Sequence, residues 1–182
     1  MARADSSTRS STCFMILSAD NLNQTSPYQL TQINDMAFSF VTDQQICYIV
    51  GFHKATFFMC EGAYLFFIDN VDGEHGAYDS KILDVVTLIL EEFFSQEPNV
   101  MLYICDPADQ RQAARDRLYH LWFYDYARNH EMTLYSDSVT FKDTKYYTGI
   151  LMRHDHPIHD MILTAYQNFL RRVPQRYNIQ EK

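Results

Sequence analysis

Residues 79–106 read DSKILDVVTLILEEFFSQEPNVMLYICD, and the fold turns on them. Ile82, Val85, Val86, Ile89, Leu90 and Phe93 recur at helical spacing and give a helix one strongly apolar face. Leu83, Leu88 and Phe94 widen that face and mark the helix as central. Asp79 suits the N-cap, and Pro98 closes the helix. Val100 to Cys105 is a continuous apolar run, the pattern of a strand covered on both faces. A helix that runs directly into such a strand predicts a locally parallel crossover within a sheet.

The neighbouring segments extend this frame in both directions. Upstream, Met36 to Val41 and Ile46 to Phe52 are β-branched and aromatic runs around Thr42-Asp43-Gln44-Gln45, and predict a hairpin. Thr56 to Met59 and Tyr64 to Ile68 predict a second hairpin around Cys60-Glu61-Gly62-Ala63, followed by a turn at Asn70-Val71-Asp72-Gly73. Downstream, Asp106-Pro107 opens a second helix that runs to about His130, with Ala114, Leu118, Leu121 and Trp122 as its apolar stripe. Met132 to Tyr135, extended by Val139 to Phe141, and Tyr146 to Met152 predict two more strands. A last helix begins near His156-Pro157, turns Ile158, Met161, Ile162, Ala165 and Phe169 inward, and ends at Pro174. The class is α+β: a single mixed, mainly antiparallel sheet with about three packed helices. Residues 1–27 are expected to form a flexible Ser/Thr-rich tail, 28–174 one domain and 175–182 a C-terminal tail.

Composition narrows the functional classes. The net charge of -8 arises from 15 basic and 23 acidic residues. It is concentrated: residues 55–110 hold Lys81 against eleven acids, a net of -10, and residues 111–182 carry +3. Such a balance predicts no nucleic-acid or anionic-membrane partner. The apolar stretch Cys13 to Leu17 is too short for a signal peptide and no run could span a bilayer, so a cytoplasmic protein is expected. Cys13, Cys47, Cys60 and Cys105 show no zinc-ligand spacing and predict no disulfide framework. Neither a Walker loop, nor Gly-x-Ser-x-Gly, nor His-Glu-x-x-His occurs.

Several groups of residues could carry chemistry. Arg111 and Arg115 share a helix face and would make an anion clamp, or would pair with Asp106 and Asp109 at the helix start. His154, Asp155, His156, His159 and Asp160 resemble a metal cluster but fit a helix start better, and no metal is expected. Tyr124 and Tyr126 beside Trp122 and Phe123 exceed what one helix face can bury. The acids Glu91, Glu92 and Glu97 offer a face for a basic protein partner, as immunity or antitoxin-type inhibitors offer theirs.

The run YICDPADQRQAARDRLYHLWF, with DVVTLILEEFF before it and YYTGILMRHDHP after it, resembles a bacterial family of unknown function over roughly residues 28–173. That resemblance implies a small intracellular protein and no particular activity. Where the family pattern has Asn before the last proline, this chain has His156. From Met36 onward the order β-β-β-α-β-α-β-β is also similar to the GNAT-type N-acetyltransferase fold. That family uses a tyrosine as general acid in a Leu-Tyr-x-x-x-Gly-Phe run. Leu118-Tyr119-His120-Leu121-Trp122-Phe123 resembles it, one residue short and without the glycine. The family's acetyl-CoA loop is Arg/Gln-x-x-Gly-x-Gly/Ala. Its counterpart here would be Gly73, Gly76 and Ala77, in a turn that lacks the Arg or Gln and carries three acids. The sequence thus predicts a non-enzymatic acidic interaction protein without cofactor, with an acyl-CoA-dependent N-acyltransferase using Tyr119 and acetyl-CoA as the alternative.

Overall fold

The computed structural model describes residues 16–177 except 57, 59–61, 75 and 97. Val100–Cys105 forms β5, and Val100, Met101, Leu102, Tyr103 and Cys105 are buried, as a continuous apolar run requires. Before it, Ser80–Gln96 forms α2, which crosses over the sheet from β4 (Ala63–Asn70). The crossover makes β4 and β5 parallel. Their ladder is short: Ala63 pairs with Val100, Tyr64 with Met101 and Leu65 with Leu102. Beyond these pairs both strands continue without pairing to each other.

The remaining strands are antiparallel. Thr31–Asn34 forms β1, Ala37–Val41 β2 and Cys47–Lys54 β3, a meander that ends on β4. Met132–Phe141 forms β6 and Thr144–Arg153 β7, a hairpin that docks through β7 on β5. The sheet order is β1-β2-β3-β4-β5-β7-β6. From Ala37 onward the element order is β-β-β-α-β-α-β-β, as the GNAT-type resemblance implies.

Helices cover both faces of this sheet. A short α1 (Ala19–Leu22), α2 and α3 (Gln112–Asn129) share one core, where Val86, Ile89 and Phe93 meet Phe52, Phe66, Tyr103 and Phe123. α4 (His159–Tyr177) covers the other face with Ile162 and Tyr166 against Val100, Leu102, Ile150 and Met152. Fully burying side chains of this size contributes about 1.5–3 kcal/mol each, so the two cores fix which strand faces which helix.

Several expectations need correction. Leu17 and Leu22 are buried in the first core, so packing begins inside the stretch expected to be a tail. The strand expected at Thr56–Met59 is absent from its described residues: Thr56 lies in a turn and Phe58 in a bend, and β3 itself continues to Lys54 against β4. The second helix starts at Gln112 and not at Asp106, because Asp106 and Asp109 bind N–H groups two residues on and close a loop first. Its buried stripe is Tyr119, Trp122, Phe123, Tyr126 and Ala127, whereas Leu121 is 57% exposed. The wide rings reach the twisted sheet from a stripe rotated away from Leu121. In α4 the buried side is Ile162 and Tyr166. Ile158 precedes the helix and Met161 is 68% exposed, and the helix passes Pro174 to reach Tyr177.

Candidate functional site

Parallel β4 and β5 end on the same edge of the sheet, and the loops that follow them are rich in acids. In open sheets the crevice outside the carboxyl ends of parallel strands is the usual ligand position. Here Asp69, Val71, Asp72, Glu74 and Tyr78 follow β4 or end it, and Asp106 and Asp109 follow β5; all are exposed. Val71 and Tyr78 are large apolar groups left 54% and 77% exposed among these carboxylates.

The loop after β4 is held by side chains of this chain. Gly73 has φ +66, a left-handed conformation that glycine adopts at little cost. Asn70 accepts from the Gly73 N–H at 2.9 Å and donates to the Glu74 carbonyl at 2.6 Å. Asp72 accepts from the Cys47 N–H at 2.9 Å. Gln44 grips the next turn with both ends of its amide: Oε1 accepts from the Ala77 N–H at 2.7 Å and Nε2 donates to the Ala77 carbonyl at 3.1 Å. A Cβ on Gly76 would lie 2.3 Å from Gln44 Oε1, so the amide fills the space above the glycine. At the start of α2, Asp79 accepts from the Lys81 N–H at 3.0 Å and from the Tyr28 hydroxyl at 2.6 Å.

These contacts decide how the loop suits an acyl-CoA pyrophosphate. Such a group needs free backbone N–H donors at a helix start. The N–H groups of Gly73, Ala77 and Lys81 already serve Asn70, Gln44 and Asp79. Asp72 and Glu74 add negative charge beside them. The residues present therefore do not fit the group.

On the β5 side, Asp109 holds Arg115 in a bidentate pair at 2.7 and 2.8 Å, and Arg115 also donates to the Asp106 carbonyl. The guanidinium keeps the Asp109 carboxyl well below the usual carboxylate range. Arg115 is thus engaged within its own loop. Arg111 is the exposed N-cap residue of α3, without a side-chain cap bond. The two arginines do not converge on one open anion position.

Tyr119 lies beneath the edge, 5% exposed, its ring edge-on to Phe66 at 5.8 Å and to Tyr103 at 5.5 Å. Burial pushes its hydroxyl well above the ordinary tyrosine range, with Asp69 and Cys105 as near neighbours and Arg115 opposing the shift. A general acid works best with a pKa near the operating pH, so this environment weakens the role. Burial likewise pushes the Cys105 thiol up to about 12, which leaves it unreactive.

The remaining candidates lie elsewhere. Glu91 sits 3.4 Å from His130 Nε2, and Glu92 is half-buried with its carbonyl bound by Ser95. Both belong to the far end of α2, away from the acidic loops, and Glu97 lies outside the described residues. His156 bonds the Pro98 carbonyl through Nε2 at 2.6 Å and accepts the Ile158 N–H through Nδ1 at 3.3 Å, so it fastens the start of α4. Among the described residues no group of three His, Cys, Asp or Glu is placed to hold a metal, and no helix is long and apolar enough to cross a membrane. Sequence reasoning missed Gln44, Asn70 and Tyr28 as organisers of the edge. Only the polar pair at 44–45 inside an expected turn hinted at the first.

Comparison with known proteins adds the following. A family model described as a family of unknown function, DUF6169, matches residues 78–168, half of the chain. No curated protein matches. The crystal structure of a probable acetyltransferase of the GNAT family from Chromobacterium violaceum ATCC 12472 is similar at 14% identity with a TM-score of 0.34. That similarity covers 65% of this chain and 57% of the other, less than two thirds of its length.

Proposed function

The chain belongs to the DUF6169 family of unknown function, and we propose that it is a non-enzymatic binding protein whose acidic sheet edge engages a basic segment of a partner protein. The observation that carries this reading is the grouping of exposed Asp69, Asp72, Glu74, Asp106 and Asp109 on two adjoining loops around exposed Val71 and Tyr78. Carboxylates steer a basic partner and set its register. An exposed tyrosine within a polar rim supplies the kind of anchor that dominates interface energy. Arg115 neutralises Asp109 locally and leaves the β4 side of the edge the more acidic. The proposed partner surface is therefore Asp69, Asp72 and Glu74 in preference to Glu91, Glu92 and Glu97.

The test is capture of partners from lysate by the immobilised chain, repeated with Asp69→Lys, Asp72→Lys and Glu74→Lys combined. A basic protein retained by the wild type should fall at least tenfold, and retention should weaken as salt screens the edge. Equal retention by the variant would rule out this edge. Charge reversal at Glu91 and Glu92 should leave retention unchanged.

A second reading, an acyl-CoA-dependent N-acyltransferase, is favoured by one feature. β4 and β5 diverge after three residue pairs, and Tyr119, buried beneath their ends, feels the charge of both Asp69 on β4 and Cys105 on β5. A ligand of the native state at about a hundred times its Kd adds about 2.7 kcal/mol of stability. Millimolar acetyl-CoA is expected to leave the melting temperature unchanged, because Gln44, Asn70 and Asp79 hold the loop donors. A rise of several degrees that Tyr78 and Asp72 variants retain would replace the binding reading with the enzymatic one.

A further inference from the structure

α3 presents a second pattern on the side away from Tyr119, Phe123 and Tyr126. Arg117, Leu121, Tyr124 and Arg128 recur at i, i+4, i+7 and i+11, and so fall on one line along the helix. All four are exposed. Leu121 and Tyr124 are among the large apolar side chains that folding leaves in water. His120 stacks on Tyr124 at 5.9 Å, and Asp125 borders the line on its other side. Among the described residues neither Arg117 nor Arg128 forms an ion pair. Single exposed apolar groups are ordinary on a surface. An apolar pair bracketed by two unpaired cations is instead the layout of an interface, an apolar centre within a charged rim.

The complementary pattern lies on the same molecule. At the acidic edge, Val71 and Tyr78 stand exposed among Asp69, Asp72 and Glu74. Laid against the α3 line, this edge sets apolar groups on apolar groups. It also offers each arginine a carboxylate to grip in a fork. The charge of the whole chain is divided to match, with a net of -10 over residues 55–110 and +3 over residues 111–182. Within one chain the two surfaces do not meet, since Val71, Tyr78, Leu121 and Tyr124 all stay exposed. A second copy brings them together, in a contact between two different surfaces.

We propose that the α3 line of Arg117, Leu121, Tyr124 and Arg128 docks on the acidic edge of a second copy of this chain. The inference rests on the reading of that edge as a binding surface and names its partner. Sedimentation equilibrium of the full chain over a concentration series, at low and at high salt, tests it. The average mass should rise above that of the monomer with concentration, and rise less when salt screens the contact. Asp69→Lys combined with Glu74→Lys should weaken association by about tenfold or more, and so should Arg117→Glu combined with Arg128→Glu. An equimolar mixture of these two variants should associate again, because each keeps the surface that the other has lost. Leu121→Ser, which leaves both cores untouched, gives a check independent of charge and should weaken association several-fold. A chain that stays monomeric at every concentration, a line variant that associates like the wild type, or a mixture no more associated than its components would overturn the proposal. A monomeric chain that still captures a basic protein through Asp69, Asp72 and Glu74 would overturn this inference alone and leave the binding role of the edge in place.

Discussion

Phe93→Ala should destabilise the protein by about 3–5 kcal/mol, the range for removing a buried phenylalanine. Phe93 is fully buried and joins α2 to the meander. Its ring stacks on Phe52 at 4.0 Å, and meets Tyr64 edge-on at 5.5 Å and Phe94 at 4.8 Å. Removing it leaves a cavity walled by aromatic rings, which collapse poorly because they pivot about few bonds. The midpoint of urea unfolding should fall with little change in slope. Phe93→Leu should recover much of the loss. A drop below about 1 kcal/mol would mean that α2 does not hold the centre of this core.

Gly149→Ala is the second large effect, and it acts by overfilling. A Cβ at Gly149 would lie 2.4 Å from Cε1 and 2.6 Å from Cζ of Tyr103. Tyr103 has nowhere to go. It is fully buried, its ring lies 5.5 Å from those of Tyr119 and Phe123, and its hydroxyl is backed by Asp116. Overpacking of this kind costs about 1–3 kcal/mol or more. The cause is separable by a double-mutant cycle. In a Tyr103→Leu background the ring end is gone, and Gly149→Ala should then cost less than about 1 kcal/mol. An undiminished cost in that background would place the strain in the β7 backbone instead.

Parts of this architecture were legible in the chain because they depend on near neighbours. The period of Ile82 to Phe93 and the unbroken run at Val100 to Cys105 are local patterns, and both became the elements they predict. The start of α3 was misread because Asp106 and Asp109 can cap a helix or close a turn, and only the Arg115 pair favours the turn. Leu121 looked like core because leucine usually is. The sheet instead receives Tyr119, Phe123 and Tyr126, whose reach no spacing rule describes. The candidate sites depended least on local pattern. Gln44 grips Ala77 across 33 residues, and Tyr103 reaches Asp116 only because the register sets it opposite Gly149. Glutamine and tyrosine carry no signal in sequence for contacts of that range.

The three-pair ladder between β4 and β5 gives the sheet an uneven stiffness. On one side β3 and β4 share seven pairs, and on the other β5 and β7 share five. Backbone hydrogen bonds therefore make two rigid plates, a meander and a strand-plus-hairpin, with little main chain sewn between them beyond residue 65. What locks the plates there is a set of rings on one face: Phe66 from the first, Tyr103 from the second, and Tyr119 and Phe123 laid across both by α3. Flexing of the sheet is thereby governed by aromatic side chains acting as a hinge pin, and α3 carries that pin together with Asp116 on its flank.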